Sequence, residues 1–222
     1  MGSDDLHHKR KRRGAANLSR KLGNRKPYAK ILIVCEGSKT EPLYFKELIR
    51  HHKLASANVV VDQNVETCPL KLFRHAKKIA KEHIKIGMPF DQVYCVFDKD
   101  SHVHYEEAKR SIASMANKTT VYKAITSVPS FEYWLLLHFK NTTKPFDRAG
   151  KKSPADVVLS ELKSEYIGYS KAKKNVYSEL IDKLDEAIKN AELSRKSALE
   201  LGTDNPSTEV DGLVIALREL NN

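Results

Sequence analysis

The chain has 222 residues, 41% of them hydrophobic and 30% charged, which is typical of a soluble globular protein of one domain with short appendages. The sequence contains no apolar run near the roughly 20 residues that cross a bilayer, and no apolar segment of a secretory signal near its start. The three cysteines are scattered, without a CxxC pair, which argues against a zinc site or structural disulfides. We therefore expect a reduced, cytoplasmic protein that contacts no membrane.

The positive charge is concentrated near the N-terminus. The net charge is +11, and residues 1–30 hold ten Lys and Arg against two Asp, a balance of +8 that leaves +3 for the other 192 residues. A segment this basic and this poor in apolar residues is expected to be disordered alone and to bind a polyanion. The alternative is a tail that only adds solubility. We predict an arm over residues 1–29 whose nucleic-acid contacts are Lys9, Arg10, Lys11, Arg12, Arg13, Arg20, Lys21, Arg25 and Lys26.

Short apolar strands alternate with longer amphipathic helices between residues 30 and 140. This alternation is typical of βαβ units and predicts an α/β, Rossmann-like fold with a mostly parallel sheet flanked by helices. The strands are predicted at 30–35, 58–62, 92–97 and 120–126, and the helices at 40–52, 70–86, 104–117 and within 127–139.

The composition changes after residue 140, where a polar, turn-rich stretch predicts a loop. Further helices are predicted at 154–163 and 174–200, and a closing helix follows Thr208 and Asp211, whose spacing suggests a capping box. These helices could pack on the preceding core or form the interface of a homo-oligomer.

Two of the predicted strands end on acidic residues. Glu36 follows the apolar run ILIVC, and Asp98 and Asp100 follow the run VYCVF. Ligands in α/β sheets bind beyond the carboxyl ends of the strands, so these three carboxylates are expected at one edge. The alternative is that the acids only cap the helices that come next. Together they favour a site for a divalent cation.

Carboxylate oxygens are the ligands that Mg²⁺ prefers, and Mn²⁺ uses the same donors. Glu36 would serve as a ligand or as a general base, and the sequence leaves both roles open. Glu41, in the first turn of the next predicted helix, would approach the same site. A bound metal would activate water or polarise a phosphate.

Three further residues are secondary candidates. Lys99, between the two aspartates, would point away from the metal or towards a phosphate, and His102 would contact a phosphate or transfer a proton. Glu132 falls in the first turn of the helix predicted within 127–139. The sequence has no GxxxxGK[ST] and no GxGxxG motif, so the chain is not expected to bind ATP through a P-loop.

An apolar strand that ends in Glu-Gly, followed by a later strand that ends in Asp-x-Asp, resembles the Toprim fold of topoisomerases, primases and OLD-family nucleases. The sequence resembles more specifically the RloB-like (AbiLii-type) family of bacterial defence proteins. The matching pieces are IVCEGSKTEPLYF at 33–45, VFDKDSH at 96–102, SVPSFEYWLLLHF at 127–139 and NPSTEV at 205–210.

The resemblance implies a Toprim-like core at 30–140 and a helical C-terminal extension at 141–222 that packs on it. It assigns Glu36 to the Toprim glutamate, Asp98 and Asp100 to the Asp-x-Asp pair, and Glu41 to a further metal ligand. It also implies an effector of anti-phage or abortive-infection systems whose ATPase is encoded separately.

Two functions remain open at this point. The first is an endonuclease that uses Mg²⁺ or Mn²⁺ to hydrolyse DNA or RNA, with tRNA among the candidates. The second is a non-catalytic Toprim module that binds nucleic acid or a partner ATPase. A phosphotransfer receiver is a third alternative, but it needs a buried lysine late in the sheet that we could not identify in the sequence.

Overall fold

The structure is a computed structural model that describes residues 29–54, 59–63, 68–99, 102–115 and 120–220. The nine basic residues of the predicted arm lie outside the described residues, and so does Asp100. No helix in the described part of the chain combines the length and the apolar character that a membrane span requires.

The fold is a mixed α/β arrangement around one five-stranded sheet in the order β2-β1-β3-β4-β5. Neighbouring strands from β2 to β4 pair in parallel, and β5 pairs antiparallel with the end of β4. The mostly parallel, Rossmann-like sheet predicted from the sequence is therefore confirmed. The strands are β1 (Ile31–Cys35), β2 (Val59–Gln63), β3 (Gln92–Asp98), β4 (Val121–Val128) and β5 (Ser207–Thr208).

The helices lie within a few residues of their predicted positions, except that the predicted helix at 174–200 is divided by a 3₁₀ turn at Ile181–Lys183. The α-helices are α1 (Thr40–His51), α2 (Pro69–Lys85), α3 (Tyr105–Ala113), α4 (Phe131–Leu136), α5 (Pro154–Glu165), α6 (Val176–Leu180), α7 (Leu184–Glu200) and α8 (Val210–Glu219).

The sheet is covered on both faces, which explains the uninterrupted apolar run of β1. Ile31, Ile33 and Cys35 point into a core that also contains residues of α1, α4 and the C-terminal helices. Leu32 and Val34 point to the opposite face, where α2 and α3 cover them. A strand buried on both faces has no position for a polar side chain until it reaches the edge of the sheet.

The segment around β5 joins the C-terminal half to the sheet, and the predicted capping box is wrong. Thr208 lies in β5, where its hydroxyl is 3.0 Å from that of Ser127. The Glu209 carboxylate accepts hydrogen bonds from the backbone N–H and the hydroxyl of Thr126, at 3.0 and 2.9 Å. Asp211 instead forms an ion pair with Arg195. The NPSTEV segment is therefore used for strand pairing.

Candidate metal and phosphate site

A cleft of about 460 Å³ opens at the carboxyl edge of the sheet, and we refer to it as the acidic cleft. Four acidic residues line it, each from a different point of the chain. Glu36 directly follows β1, Glu41 lies in the first turn of α1, Asp98 is the last residue of β3, and Glu132 lies in the first turn of α4. The structure thus brings together four of the predicted acidic site residues.

The parallel pairing of β1 with β3 places Glu36 and Asp98 at the same edge. Cys35 is in register with Val96, and the backbone N–H of Glu36 continues the ladder by donating to the Val96 carbonyl at 3.0 Å. The two acids are far apart in the sequence, but this register places Glu36 beside Phe97, the residue before Asp98, so both acids lie at the carboxyl edge of the sheet.

Glu41 approaches the turn after β1 so closely that a side chain on Gly37 would have to push the Glu41 carboxylate aside. A Cβ atom built on Gly37 would lie 2.8 Å from Oε1 of Glu41, which is well inside van der Waals contact. Burial raises the pKa of Glu41, the charge of Glu132 raises it further, and the ammonium group of Lys171 opposes both effects. Thr40 is the first residue of α1, and its hydroxyl donates to the Lys171 carbonyl at 2.8 Å.

Glu132 is the most deeply placed acid of the cleft, with only 3% of its surface exposed. The Ser130 hydroxyl donates to its Oε2 at 2.8 Å, and the Tyr169 hydroxyl donates to its Oε1 at 3.4 Å. Nζ of Lys171 lies 3.7 Å from the same Oε1. Tyr169 and Lys171 belong to the segment 166–175 between α5 and α6, so the C-terminal half supplies one wall of the cleft.

Asp98 experiences the combined charge of the other acids. Burial raises its pKa well above the usual range, and Glu41, Glu132 and Glu36 each raise it further, while a hydrogen bond from the backbone of Phe131 lowers it. A carboxyl group surrounded by like charges holds its proton more tightly unless a cation neutralises the group. The four acids therefore form one electrostatic unit that favours the binding of positive charge.

The donor set fits a hard divalent cation in its chemistry, because every acidic ligand offers carboxylate oxygens. No three His, Cys, Asp or Glu side chains among the described residues are already arranged as a metal-ligand set. Asp100, the fourth predicted ligand, is outside that part of the chain. A cation held here would therefore have to draw the carboxylates of Asp98, Glu36 and Glu41 together.

The secondary candidates take different positions. His102 lines the cleft, and its Nε2 lies 3.1 Å from Oε1 of Glu36, which makes an ion pair when the imidazole is protonated. Lys99 does not line the cleft, because its Nζ donates to both carboxylate oxygens of Asp204 at 2.6 and 2.7 Å. Three residues that contact Glu132 were not predicted from the sequence as site residues: Ser130, Tyr169 and Lys171. Only Ser130 gave a local signal, through its position two residues before Glu132.

Comparison with known proteins gives one match to a family model. The model described as RloB-like protein matches residues 31–217, from the first residue of β1 into α8, and so includes all four acids of the cleft. No curated protein matches the chain.

The charge repulsion at Asp98 predicts that Asp98→Asn stabilises the metal-free protein at neutral pH. A raised pKa in the folded state gives stability that is present at low pH and is lost as the pH rises through that pKa, so ionised Asp98 opposes folding. We expect the variant to gain about 1 kcal/mol or more, which is a rise of about 2–4 °C in Tm per kcal/mol. Thermal unfolding in EDTA at pH 5.5 and pH 8 measures this, and the gain should be larger at pH 8.

Asp182→Asn is the matched control, since Asp182 is exposed and lies in the 3₁₀ turn. The control should leave Tm nearly unchanged at both pH values. A loss of stability in Asp98→Asn, or an equal gain in both variants, would show that Asp98 is not surrounded by uncompensated negative charge.

The close contact at Gly37 predicts that Gly37→Ala destabilises the protein by about 1 kcal/mol or less, because the new methyl group pushes aside the carboxylate at the flexible end of the Glu41 side chain. Gly212 in α8 is the matched control, since a Cβ there meets nothing within 4 Å. Gly212→Ala should be neutral or stabilise by about 0.5–1 kcal/mol, as alanine favours the helix. Urea unfolding measures both, and equal effects would contradict the placement of Glu41.

Proposed function

The chain belongs to the RloB-like protein family, and we propose that it is a nuclease that uses Mg²⁺ or Mn²⁺ to hydrolyse phosphodiester bonds of DNA or RNA, with tRNA among its candidate substrates. The observation that carries this proposal is the acidic cleft, in which Glu36, Glu41, Asp98 and Glu132 share one electrostatic environment. The family resemblance supports a role as an effector of a bacterial anti-phage or abortive-infection system.

Asp98, Glu36 and Glu41 would hold the metal, together with Asp100, in the manner of the Toprim acids. A divalent cation at this position supplies Lewis acidity and lowers the pKa of bound water. His102, whose Nε2 is 3.1 Å from Oε1 of Glu36, would give a proton to the leaving oxygen as a general acid. If Asp98, Asp100 and Glu41 suffice to hold the metal, Glu36 would instead act as the general base that accepts a proton from the attacking water.

Lys171 would contact the scissile phosphate. Its side chain is 58% exposed at the mouth of the cleft, and its backbone carbonyl is held by the hydroxyl of Thr40 at 2.8 Å. Its only described ion pair is the 3.7 Å contact with Glu132, which leaves the ammonium group able to turn towards an anion. A lysine at the entrance of an acidic site suits a ligand that carries a phosphate next to a metal.

A non-catalytic module that binds nucleic acid or a partner ATPase is the second candidate. It is favoured by the finding that no three potential ligands among the described residues already form a metal-ligand set. The nuclease is preferred because mutual repulsion of the acids destabilises a fold that holds no cation, so a binding module would have no physical need for them. An ATPase encoded separately fits either candidate, since the sequence has no P-loop motif.

Incubation of the full chain with plasmid DNA, single-stranded DNA and bulk tRNA, in Mg²⁺, Mn²⁺ or EDTA, tests the proposal. We expect cleavage of one of these substrates only with a metal ion. Glu36→Gln and Asp98→Asn should each lower the rate by about 10²–10⁴-fold. Asp182→Asn should cleave at the wild-type rate. Cleavage that persists in EDTA, or that survives in both site variants, would contradict the proposal.

A further inference from the structure

The exposed face of α2 carries a continuous row of positive charge. Its members are separated alternately by three and by four residues, which places them on one side of a helix. All of them are exposed, and from first to last they extend about 21 Å at 1.5 Å per residue. We call this the basic row of α2; it consists of Lys71, Arg74, Lys78, Lys81 and Lys85.

Four of the five charges of the basic row have no acidic partner in the described part of the chain. No carboxylate among the described residues forms an ion pair with Arg74, Lys78, Lys81 or Lys85. Glu82 is the one acidic residue of α2. Like charges at these spacings destabilise a helix, so the row has a cost that the fold itself does not require. An external anion would remove that cost.

The predicted N-terminal arm joins the protein beside the C-terminal end of this row. Nζ of Lys30 donates to the Met88 carbonyl at 3.1 Å and lies 3.4 Å from Nδ1 of His83, in the last turn of α2. The backbone N–H of Lys30 donates to Asp91 at 2.6 Å. Lys30, the residue that follows the predicted arm, therefore lies where the basic row ends.

We propose that the basic row of α2 binds the phosphate backbone of the nucleic acid, as a surface separate from the acidic cleft. The proposal deepens the proposed function, on which it rests for the class of substrate. A row of about 21 Å matches about six base pairs of a duplex at 3.4 Å each. Four of the five members are lysines, which meet phosphates as point charges, so we expect binding through the row to depend little on sequence.

The structure favours nucleic acid over an anionic membrane as the ligand of this row. A helix that lies on a membrane inserts its apolar face into the lipid. The apolar face of α2 is already used, because Leu72, Phe73, Ala76 and Ala80 are buried against the sheet. Apart from Ile84, which is 46% exposed near the end of the helix, the surface of α2 that is left for a partner is its charged side.

The test is a binding measurement in EDTA, where no cleavage occurs, by fluorescence anisotropy with labelled duplex DNA, single-stranded DNA and an RNA hairpin. The variant replaces Arg74, Lys78, Lys81 and Lys85 of the full chain by Gln. We expect affinity for at least one of these nucleic acids to fall by at least tenfold. For duplex DNA the slope of log K against log salt should become shallower by about 3–4, since each lost phosphate contact removes about 0.9.

The matched control removes the same charges elsewhere, by replacing the exposed residues Arg148, Lys163, Lys189 and Lys196 by Gln. The control should bind within about twofold of wild type, with nearly the same slope. A second variant that exchanges Lys for Arg and Arg for Lys within the row should retain binding. Circular dichroism confirms that α2 remains folded in each variant.

Three outcomes would overturn the proposal. Equal losses in the row variant and in the control would show that only net charge matters. Unchanged nucleic-acid binding in the row variant would exclude the surface. A row variant that loses binding to phosphatidylserine vesicles but not to nucleic acid would assign the row to a membrane. Because the binding measurement needs no metal, none of these outcomes decides whether the acidic cleft cleaves nucleic acid. A failure to detect cleavage would likewise leave the result of the binding measurement unchanged.

Discussion

Repulsion among the carboxylates at the carboxyl edge of the sheet is the main physical constraint on the site. Parallel pairing of β1 with β3 brings Glu36 and Asp98 together, and the starts of α1 and α4 add Glu41 and Glu132. Each neighbour raises the pKa of Asp98. Such a cluster costs stability unless protons or cations compensate it, so the ionised carboxylates at this edge of the sheet oppose folding.

The C-terminal half of the chain moderates this repulsion and completes the walls of the cleft. Tyr169 and Lys171 approach Glu132, and the Thr40 hydroxyl fixes the backbone of Lys171. Farther from the edge, Glu47 of α1 accepts hydrogen bonds from the backbone of Tyr177 and, with its other carboxylate oxygen, from the Ser178 hydroxyl. Residues from both the N-terminal half and the C-terminal half of the chain therefore form the acidic cleft.

Most of the sheet and the four acids of the cleft could be predicted from the sequence. An apolar run such as that of β1, bounded by turn residues, indicates a strand that is buried on both faces. The acids that follow two such strands meet because parallel strands end at the same edge of the sheet. The position of Lys99 could not be decided, because its partner Asp204 comes from a loop more than a hundred residues later. Lys171 and β5 were missed for the same reason: tertiary contacts place them, and a two-residue strand has no periodic pattern.

Direct titration of the full chain with Mn²⁺, followed by the loss of the free-ion EPR signal, tests the claim that the acidic cleft binds one or more divalent cations. We expect saturable binding that Mg²⁺ displaces. Asp98→Asn and Glu36→Gln should each weaken this binding by at least about tenfold, and Asp182→Asn should leave it unchanged. Absence of saturable binding, or binding of equal strength in all three variants, would contradict the claim.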